Sequence, residues 1–595
     1  QTATNLNNLG LLYLEKGFHK KAKPFFVKAL DIDEKNYGTY HPLVSIASSN
    51  LALLYEDQSI YDEGEPYARK TLEIDFTLIQ RDAPYLALSE RQLFSESFGN
   101  TYERAFSYAW HGEKGKKLAL FSRLNKQGLL EEIEKRQAKL AMLPGPQKIV
   151  SEKLRELTQK ISSKDLSIEE RKKLKKQKNN LERKLYRLLP ELKPRLVSVS
   201  EVAEVIPEDG ILVEFIKYSP FNGANSGYEK WEDERYLALT LTKNERIEVI
   251  DLGLAETIEN KIKIAIKASE EVLTDAQKLW DDVGKTVLKP LEEIINQKTI
   301  LFISPDAELN RIPFSAINSF EGDNSLLANI NLRLLTTGRE LIELSKKSKN
   351  LNRKSLVVAN PNFDKKNNYM RKDSLISSKP INTQQRSGDF TTLSWNPLPG
   401  TSKEGKMIAK ITNAELLMQD QATSIAVQQK ISPKILHIAS HSYFMPDTEG
   451  LENPLLRSGI VLAGANQPEL NPNDDGYLLA LEVAKLEWQG TEIVVISGCE
   501  SGKGDIQSGE GVYGLKRAIA VAGARSSLLS LWKVDDIATA DFMEKFYQKL
   551  KDGMGRSEAL AETQKEFKNH SITRFRHPYY WAAFQLSGDW RPIDF

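Results

Sequence analysis

One cysteine, Cys499, is all that the 595 residues contain. It has no disulfide partner and cannot belong to a multi-thiolate zinc or iron–sulfur site, so no metal or cofactor is expected. An unpaired thiol suits a reducing compartment, most simply a bacterial-type cytoplasm. Charge of one sign is lacking as well. The 82 basic and 81 acidic side chains leave a net charge of +1, which excludes a global pull towards nucleic acid or an acidic membrane. No apolar run approaches the roughly 18 residues of a membrane span. The opening Gln1-Thr2-Ala3-Thr4 has neither the basic nor the apolar region of a signal peptide. The chain is too long for one core, and three or four domains are expected.

What is present begins with a repeat. Asn8-Leu9-Gly10-Leu11-Leu12-Tyr13 returns as Asn50-Leu51-Ala52-Leu53-Leu54-Tyr55, and Ala22, Ala29 and Leu30 are answered by Gly64, Thr71 and Leu72, at a spacing of 42. Each unit reads as two amphipathic helices. The pattern resembles the longer tetratricopeptide repeat, whose small residues let paired helices approach and whose stacking builds a concave surface. Two repeats are marginal alone, so a helix around Arg91 to Trp110 is expected to supply a degenerate third. The resemblance implies a groove for a partner peptide; the bland alternative is a scaffold that only shields the rest of the chain.

From Gly115 to about Arg195 the periodicity is long-helical. Apolar residues at Leu154, Leu157 and Ile161, then at Leu174, Leu181, Leu185 and Leu188, fit an antiparallel helical hairpin. Its basic run from Arg171 to Lys178 lacks interleaved aromatics, so a solvated helix face is expected and direct nucleic-acid contact is not. Residues 196 to 345 read as an α/β half with strands at Ile211–Phe215, Arg235–Leu241 and Ile247–Ile250, and helices over Ile258–Ala268 and Asp275–Asn296. This half contains no cysteine and no histidine, and therefore no Cys–His pair. A polar stretch from Asp364 to Thr392 reads as an exposed loop, Ser355–Pro361 before it as a buried strand, Thr401 after it as the cap of a helix through Met407 and Ile411, and Val512–Ala522 as a helix behind a glycine-rich loop.

The chemistry concentrates in two segments of matching design. Ile493-Val494-Val495-Ile496-Ser497-Gly498-Cys499-Glu500-Ser501-Gly502 is a buried strand that ends in a tight turn, with Cys499 at its C-terminal tip. Open α/β sheets place their chemistry there. By type alone a lone cysteine is a small buried hydrophobe. Glycine and serine flanks fill a core poorly, however, and suit a thiol displayed beside open backbone N–H groups. Upstream, Ile435-Leu436-His437-Ile438-Ala439-Ser440-His441-Ser442 is another apolar run ending in small residues. His437, inside the run, is expected to be structural; His441, at the terminus, is the better base. Glu500 is adjacent to the thiol in sequence but is expected to point away.

These motifs, followed by Gly509-Glu510-Gly511, Ala522-Gly523-Ala524, Leu531-Trp532-Lys533-Val534-Asp535-Asp536 and His577-Pro578-Tyr579-Tyr580-Trp581-Ala582-Ala583-Phe584, resemble the CHAT domain over about residues 196 to 595. That family comprises caspase-like cysteine peptidases related to separase. Ser442 stands where the family usually has glycine. The resemblance implies a multidomain chain: tetratricopeptide-like repeats (1–114), a helical hairpin or linker (115–195), a pseudo-caspase α/β half (196–348) and an active caspase-like half (349–595). It implies a cysteine endopeptidase with His441 and Cys499 as catalytic dyad. Backbone N–H groups around Ser442, Gly498 and Cys499 would form the oxyanion hole. The Leu-Trp-x-Val-x-Asp pattern is similar to the separase segment that supplies an acidic pocket, which makes Asp535 and Asp536 candidates to bind a basic P1 side chain. Capping of a helix starting near Ile537 is the alternative role for both. The implied partners are a protein substrate and an activator, protein or ribonucleoprotein, bound through the repeats in a bacterial defence or signalling complex. A catalytically silent scaffold is the competing class.

Overall fold

A computed structural model describes residues 1–162, 168–225, 227–318, 330–346, 353–366, 394–445, 454–471, 474–498, 501–507 and 510–595. The repeat becomes two antiparallel helix pairs, α1 (Thr2–Glu15) with α2 (His19–Tyr37) and α3 (Pro42–Glu56) with α4 (Tyr61–Asp82). Small residues set the spacing. A Cβ on Gly10 would lie 2.6 Å from the Phe26 ring, and one on Gly64 would lie 3.1 Å from the Tyr55 Cβ, so each pair closes only because those side chains are missing. The single helix expected around Arg91 to Trp110 is instead two short ones, α5 (Leu88–Glu96) and α6 (Thr101–Ser107). Between them Gly99 adopts a φ of 74°, which no helix continues through.

Four longer helices come next: α7 (Gly112–Lys126), α8 (Leu129–Ala141), α9 (Pro146–Ser162) and α10 (Ile168–Leu188). The last two form the expected hairpin, with Leu154, Leu185, Tyr186 and Leu189 in a small core of their own. Lys172, Lys173 and Lys176 of the basic run are exposed to solvent.

The remainder is built on an eleven-stranded sheet. In chain order its strands are β1 (Gly210–Tyr218), β2 (Arg235–Leu241), β3 (Val249–Leu254), β4 (Ile300–Ser304), β5 (Asn331–Leu334), β6 (Leu356–Pro361), β7 (Glu415–Gln419) and β8 (Ile435–Ala439). A small side sheet of β9 (Ser442–Phe444), β10 (Ser458–Val461) and β11 (Tyr477–Leu479) precedes β12 (Ile493–Ile496), and a hairpin of β13 (Gly504–Gln507) and β14 (Gly511–Gly514) precedes β15 (Ser526–Ser530) and β16 (Phe584–Gly588). The order across the main sheet is β3-β2-β1-β4-β5-β16-β15-β12-β8-β6-β7. Strands β1, β4 and β5 are parallel, as are β15, β12, β8, β6 and β7. The joining strand β16 runs parallel to β5 and antiparallel to β15. The two parallel halves therefore open their C-terminal ends on opposite edges of one sheet, and a site on one half cannot share its edge with the other.

Both faces are covered, which is why the central strands read as continuous apolar runs rather than alternating ones. One face packs against helices Ala276–Val287, Asp536–Lys551 and Arg556–Lys568, with Trp280 stacked 6.4 Å from Trp532. On the other face the first half is covered by α4, α7 and α8, where Leu72, Phe76, Leu120 and Leu124 meet Leu212 and Leu237. One core thus runs across residues 114 and 195. The second half is covered on that face by helix Leu515–Ala522 and Trp488.

Three expected boundaries move, each for a local reason. The helix expected over Asp275–Asn296 stops at Val287, just before Pro290, which lacks an N–H for the ladder. The strand expected at Ile247–Ile250 runs Val249–Leu254, in register with β2. The helix expected from Val512 begins at Leu515 because Gly511–Gly514 pairs with Gly504–Gln507. Helix Pro399–Thr412 lies so close to β6 that a Cβ on Gly405 would sit 2.4 Å from the Ala359 Cβ. Gly405→Val should destabilise the chain by about 2–3 kcal/mol, read as a lowered urea midpoint at unchanged slope. An unchanged midpoint would contradict the close approach.

Candidate active site

Strands β8 and β12 are parallel neighbours in register, Ile438 opposite Ile496, so the two chemistry-bearing segments leave the sheet side by side. Past their ends the Ser497 N–H donates to the Ile438 carbonyl at 3.1 Å. Gly498 then meets the histidine segment directly: a Cβ there would lie 2.1 Å from the Ser440 carbonyl oxygen and 3.0 Å from Ser442 Oγ. No other residue fits without moving one chain. Cys499 and Glu500 lie outside the described residues, while the residues on either side of them are placed.

The turn is clamped at both flanks by the end of β15. Ser530 Oγ donates to the Gly498 carbonyl at 2.5 Å, the Ser530 N–H donates to Ser501 Oγ at 2.9 Å, and the Gly502 N–H donates to the Ser530 carbonyl at 2.7 Å. Ser501 Oγ also donates to the Ile496 carbonyl at 3.1 Å. Both serines are almost fully buried, so these bonds exchange with little water. Sequence reading missed Ser530, since its only signal is a hydroxyl at the end of an apolar strand.

His441 sits between β8 and β9, its carbonyl accepting from the Val461 N–H at 2.9 Å. The ring is partly buried between Phe363 and Trp395, with centroids 5.3 and 5.2 Å away. Its Nε2 lies 2.8 Å from the Asn396 carbonyl. A carbonyl only accepts, so Nε2 carries the hydrogen, and in the neutral ring Nδ1 keeps its lone pair. Asn466 fixes that carbonyl's position: it accepts from the Trp395 N–H at 2.8 Å and donates back to the Trp395 carbonyl at 3.0 Å. Burial holds the imidazole below its ordinary value; the Asn396 carbonyl opposes this, and the Lys533 charge adds to it. Asn396 and Asn466 are positioning groups invisible in sequence, because one acts through its backbone and the other lies 71 residues from the chain it holds.

The other predicted residues divide. His437 is fully buried beneath the site, its Nε2 3.0 Å from Glu404 Oε1 and its Nδ1 3.2 Å from the Tyr547 hydroxyl, the structural setting expected for it. Ser442 opens β9 and is buried. Asp535 is the N-cap of helix Asp536–Lys551, accepting from the Ala538 N–H at 2.8 Å. Asp536 reaches across to accept from the Gly400 N–H at 2.7 Å. It thereby caps helix Pro399–Thr412, the role sequence reading gives to Thr401, whose hydroxyl instead donates back to the Leu398 carbonyl at 2.6 Å. Burial pushes the Asp536 carboxyl up, with the Gly400 N–H opposing. The segment Trp395–Gly400 thus touches His441 at one end and Asp536 at the other, placing both beside one short stretch of chain. Among the described residues no cluster of three or more metal-ligating side chains occurs, and no helix is long and apolar enough to cross a membrane.

Comparison with known proteins bears on the whole arrangement. Residues 1–75 match the tetratricopeptide repeat model. Tetratricopeptide repeat protein 28 of Mus musculus is 28% identical over 218 residues, covering 33% of this chain and 9% of that protein, and its Homo sapiens counterpart is 26% identical over 216 residues, covering 33% and 8%. The chain therefore spans about a tenth of the curated relatives it matches. Among solved structures, the Saccharomyces cerevisiae separase–securin complex aligns over 99% of this chain and 53% of that one, at 10% identity and a TM-score of 0.41. The Arg-specific cysteine proteinase gingipain R aligns over 57% and 74%, at 8% identity and a TM-score of 0.30. The CHAT domain model matches residues 274–589, more than half of the chain and the span holding both β8 and β12, and so this protein belongs to the CHAT domain family and joins that domain to N-terminal tetratricopeptide repeats.

Proposed function

We propose that the chain is a cysteine endopeptidase that cleaves a protein partner, with Cys499 as nucleophile and His441 as its base. One observation carries this reading: Gly498, the residue before the thiol, packs so closely on the histidine segment that a Cβ there would lie 2.1 Å from the Ser440 carbonyl oxygen and 3.2 Å from the Ser442 nitrogen, on both sides of His441, whose Nε2 is taken by the Asn396 carbonyl. Nδ1 takes the thiol proton as sulfur attacks the scissile carbonyl, then returns it to the leaving amine; water, deprotonated by the same nitrogen, hydrolyses the acyl-enzyme. A free thiol has a pKa near roughly 8.5, so at neutral pH this base is needed. Backbone N–H groups around Ser442, Gly498 and Cys499 stabilise the tetrahedral oxyanion.

The reading extends to specificity and control. Asp536, tied through Trp395–Gly400 to the histidine, is the proposed acceptor for an arginine or lysine at P1, with Asp535 behind it. The divisions at residues 114, 195 and 348 belong to this proposal as divisions of role, since one core crosses the first two, with the repeats engaging an activator protein or ribonucleoprotein in a bacterial defence or signalling complex in the cytoplasm. The test is covalent labelling of the full chain, with mass-spectrometric assignment, by peptidyl electrophiles carrying arginine, lysine or aspartate at P1. Labelling of Cys499 by the basic probes, lost in Cys499→Ala, is expected. Labelling confined to the aspartate probe removes the acidic pocket, and absence of labelling by all three in the presence of a co-purifying partner leaves the scaffold.

The serine clamp gives a sharper expectation. Ser530→Ala removes the hydroxyl that holds the Gly498 carbonyl beside the thiol position and keeps the backbone bonds of residue 530 to Ser501 and Gly502, so kcat should fall about 10- to 100-fold while KM barely changes, since the loss is of orientation and not of substrate contact. A change confined to KM would remove Ser530 from the positioning role.

A further inference from the structure

A well-formed cavity lies away from His441. It encloses about 440 Å³, within the range of small-molecule sites, where three parts of the chain converge: α8, the segment after β5, and helix Leu515–Ala522. Its lining is strongly one-sided in charge, with seven Lys and Arg side chains against four carboxylates among the described residues.

The carboxylates are largely spoken for. On α8, Glu131, Lys135 and Lys139 share one face at i, i+4 and i+8. Lys135 pairs with Glu131 at 2.6 Å and with Glu340 at 3.3 Å, and the second Glu340 oxygen accepts from the Thr336 N–H at 3.1 Å. Glu343 pairs with Arg195 at 2.9 Å. Lys516, facing them from helix Leu515–Ala522, makes no ion pair among the described residues; burial presses its ammonium below the ordinary value, Glu131 and Glu340, both already engaged, oppose this, and the Lys135 charge adds to it. An ammonium desolvated without a counter-ion is costly. Beside it the floor is aliphatic, Ile519 and Ala520, and no aromatic side chain lines the cavity among the described residues.

We infer that this cavity binds a small polyanion bearing phosphate groups, held by Lys516, Lys135 and Lys139. Phosphate supplies the counter-charge that Lys516 lacks, and several oxygens allow Lys135 and Lys139 on the facing helix to donate as well. The absence of an aromatic platform removes base stacking as a source of affinity, so recognition falls on the phosphates. The inference is independent of the peptidase reading, because no residue of the cavity belongs to the Cys499–His441 arrangement.

Isothermal titration of the full chain at fixed ionic strength with tripolyphosphate, ATP and adenosine tests it. Saturable one-site binding is expected for the first two and none for adenosine. Lys516→Gln should weaken binding at least about tenfold and Lys516→Arg should restore it. Lys172→Gln on the exposed face of α10 should leave it unchanged. Should Lys516→Gln fail to fold, judged by circular dichroism, Lys139→Gln at the exposed rim gives the same reading. Heats that do not saturate, affinity indifferent to both lysine substitutions, or adenosine binding as tightly as ATP would each overturn the site.

Discussion

Replacing His441 by alanine in the full chain should lower kcat/KM on a cleaved partner by about 10³-fold, within the range for loss of a positioned acid–base group. The turn held by Ser530 would keep its place while losing the imidazole proposed as the base. The pH dependence carries more information than the loss itself. Because burial between Phe363 and Trp395 holds the imidazole below its ordinary value of 6.5, the neutral base is present throughout the neutral range. Activity should then rise with pH through a midpoint below 6.5 and be flat above it on this limb. Trp395→Ala hydrates the ring and should move that midpoint upwards, towards the ordinary value. A pH profile of kcat/KM for the two proteins measures this. Activity surviving in His441→Ala, or a midpoint that ignores Trp395, would take the base away from this histidine.

Arg123→Met should cost about 3–5 kcal/mol of stability, the largest single effect expected outside the active half. Arg123 comes from α7 and is fully buried at the C-terminal end of β4. It donates to Glu214 Oε2 at 2.9 Å, to Gln127 Oε1 at 2.6 Å, and to Ser304 Oγ and the Pro305 carbonyl, each at 3.2 Å, with Asp306 at 3.3 Å. Glu214 accepts in addition from the Gly338 N–H at 2.5 Å. Methionine fills much of the volume but leaves two carboxylates buried without their counter-charge, and that uncompensated burial dominates the loss. The double variant Arg123→Met/Glu214→Leu should therefore be more stable than the single one, a coupling that a double-mutant cycle in urea measures. A single variant within about 0.5 kcal/mol of the parent, the scale of ordinary surface substitutions, would mean that the network adds nothing net.

That network also gives physical content to the first half of the sheet. The edge of the sheet where β1, β4 and β5 end is the position equivalent to the Cys499 edge, but a guanidinium from the helical region fills it. Absence of cysteine and histidine from residues 196–345 already excluded the dyad there. The packing shows what the space is used for instead: it fastens α7, and with it the repeats, to the sheet.

Legibility in the sequence followed the range of the interaction. The repeat at a spacing of 42, the hairpin of α9 and α10 and the apolar runs of β1, β6, β8 and β12 were readable because each is fixed by periodicity within a few turns or alternations. The structural role of His437 was readable for the same reason, a polar ring inside an apolar run. The hairpin of β13 and β14 was not, since Gly511–Gly514 looks like a helix start until Gly504–Gln507 is beside it. Asp535 and Asp536 could be named but not assigned, because a carboxylate before a helix suits a cap and a pocket equally, and their partners Ala538 and Gly400 lie on different helices.

By itself the sequence determined the helical-then-α/β order, the lone thiol and the two matching segments that carry Cys499 and His441, because these depend on residue type and local period. The tertiary structure alone decided that β16 turns the two halves of the sheet in opposite senses. It alone decided that Asn396, through Asn466, sets the tautomer of His441, and that Ser530 clamps the turn. The reason is the same in each case: a hydrogen bond between residues tens of positions apart is fixed by where the sheet brings them, and no local pattern of side chains encodes its partner.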